Sequence, residues 1–141
     1  MNTLGKEGKP FVFVIDFEGE NAELFDPSET DAILWQANGR SNVDFNGQTR
    51  RAVKLDIEPI SFGQYKKGYD LVQEHIHKGD TYLLNYTQPT PLLTDMSLED
   101  IYHHSAARYK VLLKDKFVCF SPEIFVQIKE GKISSFPMKG T

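Results

Sequence analysis

FVCFSPEIFVQIKEGKISSFPMKGT, residues 117–141, reads as two extended apolar runs joined by the short polar turn Glu130-Gly131-Lys132. A three-residue loop with Gly131 at a position wanting positive φ is the register that pairs the runs best. Ile124 then faces Met138, Val126 faces Phe136 and Ile128 faces Ser134, gathering one nearly continuous apolar face. The alternative two-residue loop sets Val126 against Ser135 and Ile124 against Pro137, a poorer match. The three-residue register also puts Glu123 opposite Lys139, on the face away from the apolar stripe, with Cβ atoms ~4.5–5.5 Å apart in a regular pairing. Two readings of that pair stand side by side. As a surface ion pair it contributes only ~0.2–1 kcal/mol. As chemistry, Lys139 is a nucleophile or acid–base group, provided desolvation offsets the upward pull of the carboxylate on its pKa.

Working back from this stretch, Lys114-Asp115-Lys116 is a charged turn, and a helix starts at Ser97 with Asp100 completing a capping box. Leu98, Ile101, Ala106 and Tyr109 supply its buried stripe. Residues 80–88, DTYLLNYTQ, are strand-like and run into Pro89 and Pro91. Before them Ser61 stands at an N-cap, and Tyr65, Tyr69, Val72 and Ile76 follow at helical spacing. His75, His77 and Lys78 fall in the last turn, where positive groups suit the helix dipole, and Gly79 ends the helix. Val53, Leu55 and Ile57 alternate with charged residues as a half-buried strand ending at Pro59. Residues 38–51 are a loop with room for a short hairpin at Asn46-Gly47, 32–36 is a strand, and the strand 10–18 turns at Gly19 to Asn21 so that 22–26 returns alongside it. Six or seven strands in runs, with two main helices, predict an α+β fold with a largely antiparallel sheet. No internal repeat or convincing domain boundary interrupts the 141 residues, which are one domain's worth of chain.

Composition narrows the function. A net charge of -4 leaves no basic footprint, so nucleic acid is not an expected partner. The longest clean apolar run, Phe11 to Ile15, is far short of a membrane span, and the N-terminus has no signal-peptide core, so a cytoplasmic protein is expected. Cys119 is the single cysteine, which rules out an internal disulfide, and its strand-like setting predicts a buried, inert thiol. His75 and His77, two apart, and the adjacent His103 and His104 do not share helix faces, so they read as polar surface rather than metal ligands.

Three short motifs, in order, carry a resemblance. Gly79-Asp80-Thr81-Tyr82-Leu83-Leu84-Asn85-Tyr86-Thr87 is similar to the GDxYQxNxT strand of the chorismate-utilising enzymes, Ser121-Pro122-Glu123 to their SPE, and Pro137-Met138-Lys139-Gly140-Thr141 to their PIKGT. Residues 60–141 carry it. Within that family the chain most resembles component I of aminodeoxychorismate (para-aminobenzoate) synthase, because Lys139 stands where anthranilate synthases have alanine. The resemblance implies that Lys139 attacks the chorismate ring covalently and that Glu123 acts as general acid and then base. It implies substrate contacts from Asn85, Gly140 and Thr141, and a partner glutamine amidotransferase that supplies ammonia. Leu83 replaces the family's glutamine, so no substrate role is carried to that position, and it is not the lysine of the water-adding relatives.

The family's magnesium ligands lie beyond PIKGT, so Mg2+ is expected to be held by residues after Thr141. The resemblance therefore implies an N-terminal fragment of a larger chorismate-binding fold, truncated after PMKGT, inactive alone and prone to self-association. Two alternatives remain: an anthranilate synthase component I-like enzyme, and a non-catalytic module that binds chorismate or an aromatic ligand.

Overall fold

The computed structural model of the chain describes residues 1–44, 53–121 and 124–137. In chain order its elements are α1 (Asn2–Lys6), β1 (Val12–Ile15), β2 (Ala22–Phe25), β3 (Ile33–Ala37), β4 (Arg40–Ser41), β5 (Leu55–Ile57) and α2 (Phe62–Lys78). There follow β6 (Leu92–Thr94), α3 (Leu98–His104), β7 (Tyr109–Leu113), β8 (Phe117–Ser121), β9 (Val126–Lys129) and β10 (Lys132–Ser135). Every strand pairing among the described residues is antiparallel, so the fold is α+β as expected. The chain falls into two compact units, Met1–Arg50 with Met96–Thr141, and Arg51–Asp95.

The first unit is built on a four-stranded sheet of order β4-β3-β7-β8. Side chains alternate across it. Leu34 and Leu112, paired in register, face α3 and form a buried cluster with Tyr102, flanked by Val43, Leu98 and Val118. Ser97 caps α3 as predicted, its hydroxyl accepting from the Asp100 amide at 3.0 Å while the Asp100 carboxylate accepts from the Ser97 amide at 3.0 Å. The helix stops at His104, earlier than the apolar stripe suggested. Tyr109 belongs to β7, not to the helix, and β7 is the strand that pairs with both β3 and β8.

A two-stranded β1–β2 hairpin and a second hairpin, β9–β10, complete this unit. In the second, the register is that of the two-residue loop: Lys132 opposes Lys129, Ile133 opposes Ile128 and Ser135 opposes Val126, and the Phe136 amide donates to the Phe125 carbonyl at 2.9 Å. The three-residue register expected from apolar matching is not formed. Glu130 and Gly131 sit at φ 53° and 70°, the pair of left-handed residues that a type I′ turn needs and that matches strand twist. Burial could not overrule the turn, because Ile128 and Ile133 are both 73% exposed and neither face of the hairpin is covered. The run from 117 to 129 is also not one strand. β8 joins the four-stranded sheet and β9 pairs only with β10. A tight turn missed in the sequence, Asn38-Gly39 at φ 49° and 83°, joins β3 to β4, while the suggested Asn46-Gly47 hairpin lies outside the described residues.

The second unit holds α2 and the β5–β6 ribbon. Ser61 caps the helix and Gly79 at φ 80° closes it in the left-handed conformation, both as the sequence foretold, and Gln64 completes a capping box that was not foreseen. Residues 80–88 form no strand. Tyr82 and Leu83 are 93% and 86% exposed, and without a neighbouring strand an extended run has no ladder to join. The partner of β5 is β6 instead. Tyr86 from this irregular stretch packs on Tyr65, ring centroids 5.3 Å apart, over Gly68. A Cβ at Gly68 would collide with the Tyr86 ring, so the glycine is what lets the stretch lie against α2.

Candidate functional site

Glu123, Lys139, Gly140 and Thr141 lie outside the described residues, and so does their pairing across the hairpin. The register that set Glu123 against Lys139 is not the one β9 and β10 adopt. Their described neighbours can be placed. Ser121, the first residue of the SPE triplet, ends β8 opposite Tyr109, half-buried. Pro137, the first of PMKGT, follows β10 and is exposed. Asn85 is exposed on the irregular stretch after α2, in the other unit.

Ser121 lines the rim of an apolar cleft of about 630 Å³ on the face of the sheet away from α3. Trp35, Val111 and Cys119 stand side by side across β3, β7 and β8 and form its floor, and Phe11 and Phe13 of the β1 segment form a wall. Trp35 is fixed at both ends. Its indole N–H donates to the Pro27 carbonyl at 2.9 Å and its amide to Asn42 Oδ1 at 2.9 Å. Asn42 in turn donates to the carbonyls of Glu29 and Ile33, stapling three points of the backbone. Cys119 is exposed in this cleft rather than buried, because its side chain points to the open face and not to the core under α3. An apolar floor with few polar groups suits a flat, largely apolar ligand.

A second cluster was not legible in the sequence. Lys110, only 5% exposed, extends beneath α3 and donates from Nζ to the carbonyls of Tyr102 at 2.7 Å and Ser105 at 2.9 Å. The ammonium also lies 4.5 Å from the centre of the Tyr102 ring. It thus serves the orphan carbonyls at the C-terminal end of α3, where the helix dipole favours a cation. Burial lowers its pKa from the usual lysine value. Burial pushes the Tyr102 phenol up to about 12, with a hydrogen bond from Ser41 pulling the other way. His103 stands edge-on to Tyr102, and burial lowers its pKa, opposed by Glu99. His103 and His104, expected on the polar surface, are instead half-buried. Among the described residues no group of three or more His, Cys, Asp or Glu side chains could hold a metal ion. These groups therefore form a structural clamp, with a mid-strand lysine that period-2 patterning alone would send to solvent.

The family model described as chorismate binding enzyme matches residues 16–141. A relative from Haemophilus influenzae, described as an uncharacterized PabA-like protein, is 43% identical over 145 residues, covering 99% of this chain and 43% of the relative. A second protein of that description, from Pasteurella multocida, is 39% identical over 144 residues, covering 99% of this chain and 44% of its own length. The chain spans less than half the length of these relatives. No solved structure matches it.

Proposed function

The chain belongs to the chorismate-binding enzymes, and from that membership we propose that it is part of an aminodeoxychorismate synthase, converting chorismate and ammonia to 4-amino-4-deoxychorismate and water. The observation that carries the choice of reaction is Lys139 within Pro137-Met138-Lys139-Gly140-Thr141. The neutral amine of Lys139 forms a bond to ring C2, the ring double bonds shift, and the C4 hydroxyl leaves as water after taking a proton from Glu123. Ammonia then bonds to C4, the double bonds shift back, and the Lys139 amine is expelled from C2 while Glu123 receives the surplus proton. Two displacements replace one difficult exchange, and a single carboxyl serves both stages. Asn85, Gly140 and Thr141 are the proposed substrate contacts, and a glutamine amidotransferase is the proposed source of ammonia. The PabA-like descriptions of the relatives support a para-aminobenzoate-type reading. Mg2+ is the proposed cofactor.

The test is to join this chain to the part of the Haemophilus influenzae relative that it does not span. Given chorismate, ammonium and magnesium, the joined protein should make aminodeoxychorismate, and Glu123→Gln should slow it by roughly 10²–10⁴. Mass spectrometry should find a ring adduct on Lys139. Anthranilate as the product overturns the reaction proposed, and product formation by the 141-residue chain alone overturns its assignment as an inactive part. A second reading, a non-catalytic module for chorismate or an aromatic ligand, is favoured by Trp35 on the floor of the apolar cleft. Saturable quenching of Trp35 fluorescence by chorismate, without any turnover in the joined protein, would favour it over the enzyme.

A further inference from the structure

We propose that the apolar stripe of α2 is a docking surface for polypeptide corresponding to the part of the relatives that this chain does not span. This rests on family membership and on the structure of the second unit, not on the reaction proposed above. α2 is complete as a helix, capped at both ends. Lys66 pairs with Asp70 and Lys78 with Glu74, each four residues apart, so one side of the helix is a solvated, charge-paired surface. Tyr65, Tyr69, Val72 and Ile76 follow the other periodic stripe, and none is buried. Tyr65 and Tyr69 are 41% and 46% exposed even though Tyr86 packs on Tyr65.

The β5–β6 ribbon repeats the pattern. Leu55, Ile57 and Leu92 share one face of it and are all more than half exposed. None of the buried apolar residues among those described lies in this unit. A helix and a ribbon that each leave an apolar face open cannot hold their conformations by burial, which is where most helix stability in proteins comes from. Something must cover these faces, because soluble proteins rarely leave contiguous apolar patches larger than a few hundred Å² in water. The occupant is identified by length. The match to each relative runs along 99% of this chain and leaves more than half of the relative outside it. That additional polypeptide is the covering surface the two faces require, and a tyrosine-rich stripe is well suited to it.

Hydrogen exchange tests this on the whole 141-residue chain and on the same chain joined to the unmatched part of the Haemophilus influenzae relative. Amides of 65–76 should be protected at least a hundredfold more in the joined protein. Supplied as two co-expressed polypeptides, the parts should form a one-to-one complex. Tyr69→Lys should weaken that complex at least tenfold, while Lys66→Ala on the charged side leaves it unchanged. Helicity measured by circular dichroism separates lost docking from a lost helix. Equal protection in the monomeric 141-residue chain overturns the proposal, since the chain then covers α2 itself. A homodimer protected at 65–76 overturns it in favour of a second copy, and so does failure of Tyr69→Lys to weaken the complex.

Discussion

The sheet under α3 and the helix-plus-ribbon unit are both well formed locally, yet they are held in different ways. In the first, Ile33, Leu34, Leu112 and Tyr102 are at most 2% exposed, and a buried ammonium closes the helix end above them. In the second, caps and paired charges define α2 while its apolar side stays open. The difference teaches that clean secondary structure and a stable core are separate achievements. Capping contributes about 1 kcal/mol at a terminus, whereas one well-buried leucine contributes ~1.5–3 kcal/mol.

Truncation should break the comparison most sharply. Leu112→Ala should cost ~2–5 kcal/mol in denaturant unfolding of the chain, because the site lies among packed neighbours. Leu93→Ala, at a position 56% exposed, should cost less than ~0.5 kcal/mol. Equal losses at the two positions would mean that the second unit has a core of its own.

The charged groups give a smaller contrast. Lys110→Met removes a buried cation and strips two carbonyls of their donor, which should cost ~1–3 kcal/mol. Lys66→Met breaks an exposed pair on α2 and should cost no more than ~0.5 kcal/mol. If Lys110→Met is neutral, a methionine packs under α3 as well as the ammonium does, and the clamp is dispensable.

Titration gives the finest distinction. The folded state holds His103 below its unfolded pKa of 6.5, so the unfolded chain binds more protons between the two values. Stability contributed by neutral His103 is present above 6.5 and is lost as pH falls through the lowered folded value. Denaturant midpoints measured downward from pH 7 should therefore fall, and His103→Gln should flatten that slope. An unchanged slope in the variant would assign the acid sensitivity to other groups. Tyr102 works in the opposite sense at high pH: raised to about 12, its contribution is complete below 10 and is lost as pH rises through 12.

Several local signals in the sequence were read correctly where one or two residues carry the physics, although the two-residue Asn38-Gly39 turn was missed. Ser61, Gly79 and the Ser97–Asp100 box are examples, since a cap is decided within four residues of chain. The β1–β2 hairpin with its turn at Gly19 was legible for the same reason. The errors came where a partner decides. Residues 80–88 have strand composition but no strand beside them, and Tyr109 fitted a helical period while belonging to the strand between β3 and β8. The β9–β10 register was argued from burial, but the hairpin is exposed, so the turn prevailed. Of the proposed site, Asn85 is the only residue among those described, and Ser121 and Pro137 are the described residues of the other two motifs.

By itself, then, the sequence determined the class of fold, both ends of α2, the start of α3 and, through three short motifs, membership in the chorismate-binding enzymes. These depend on residue type and spacing along the chain. Only tertiary structure decided that β7 is flanked by β3 and β8, that Lys110 is buried and Cys119 exposed, and that α2 is left with an open apolar side. Each of those outcomes is settled by which surfaces meet, and burial belongs to a pair of surfaces rather than to a residue.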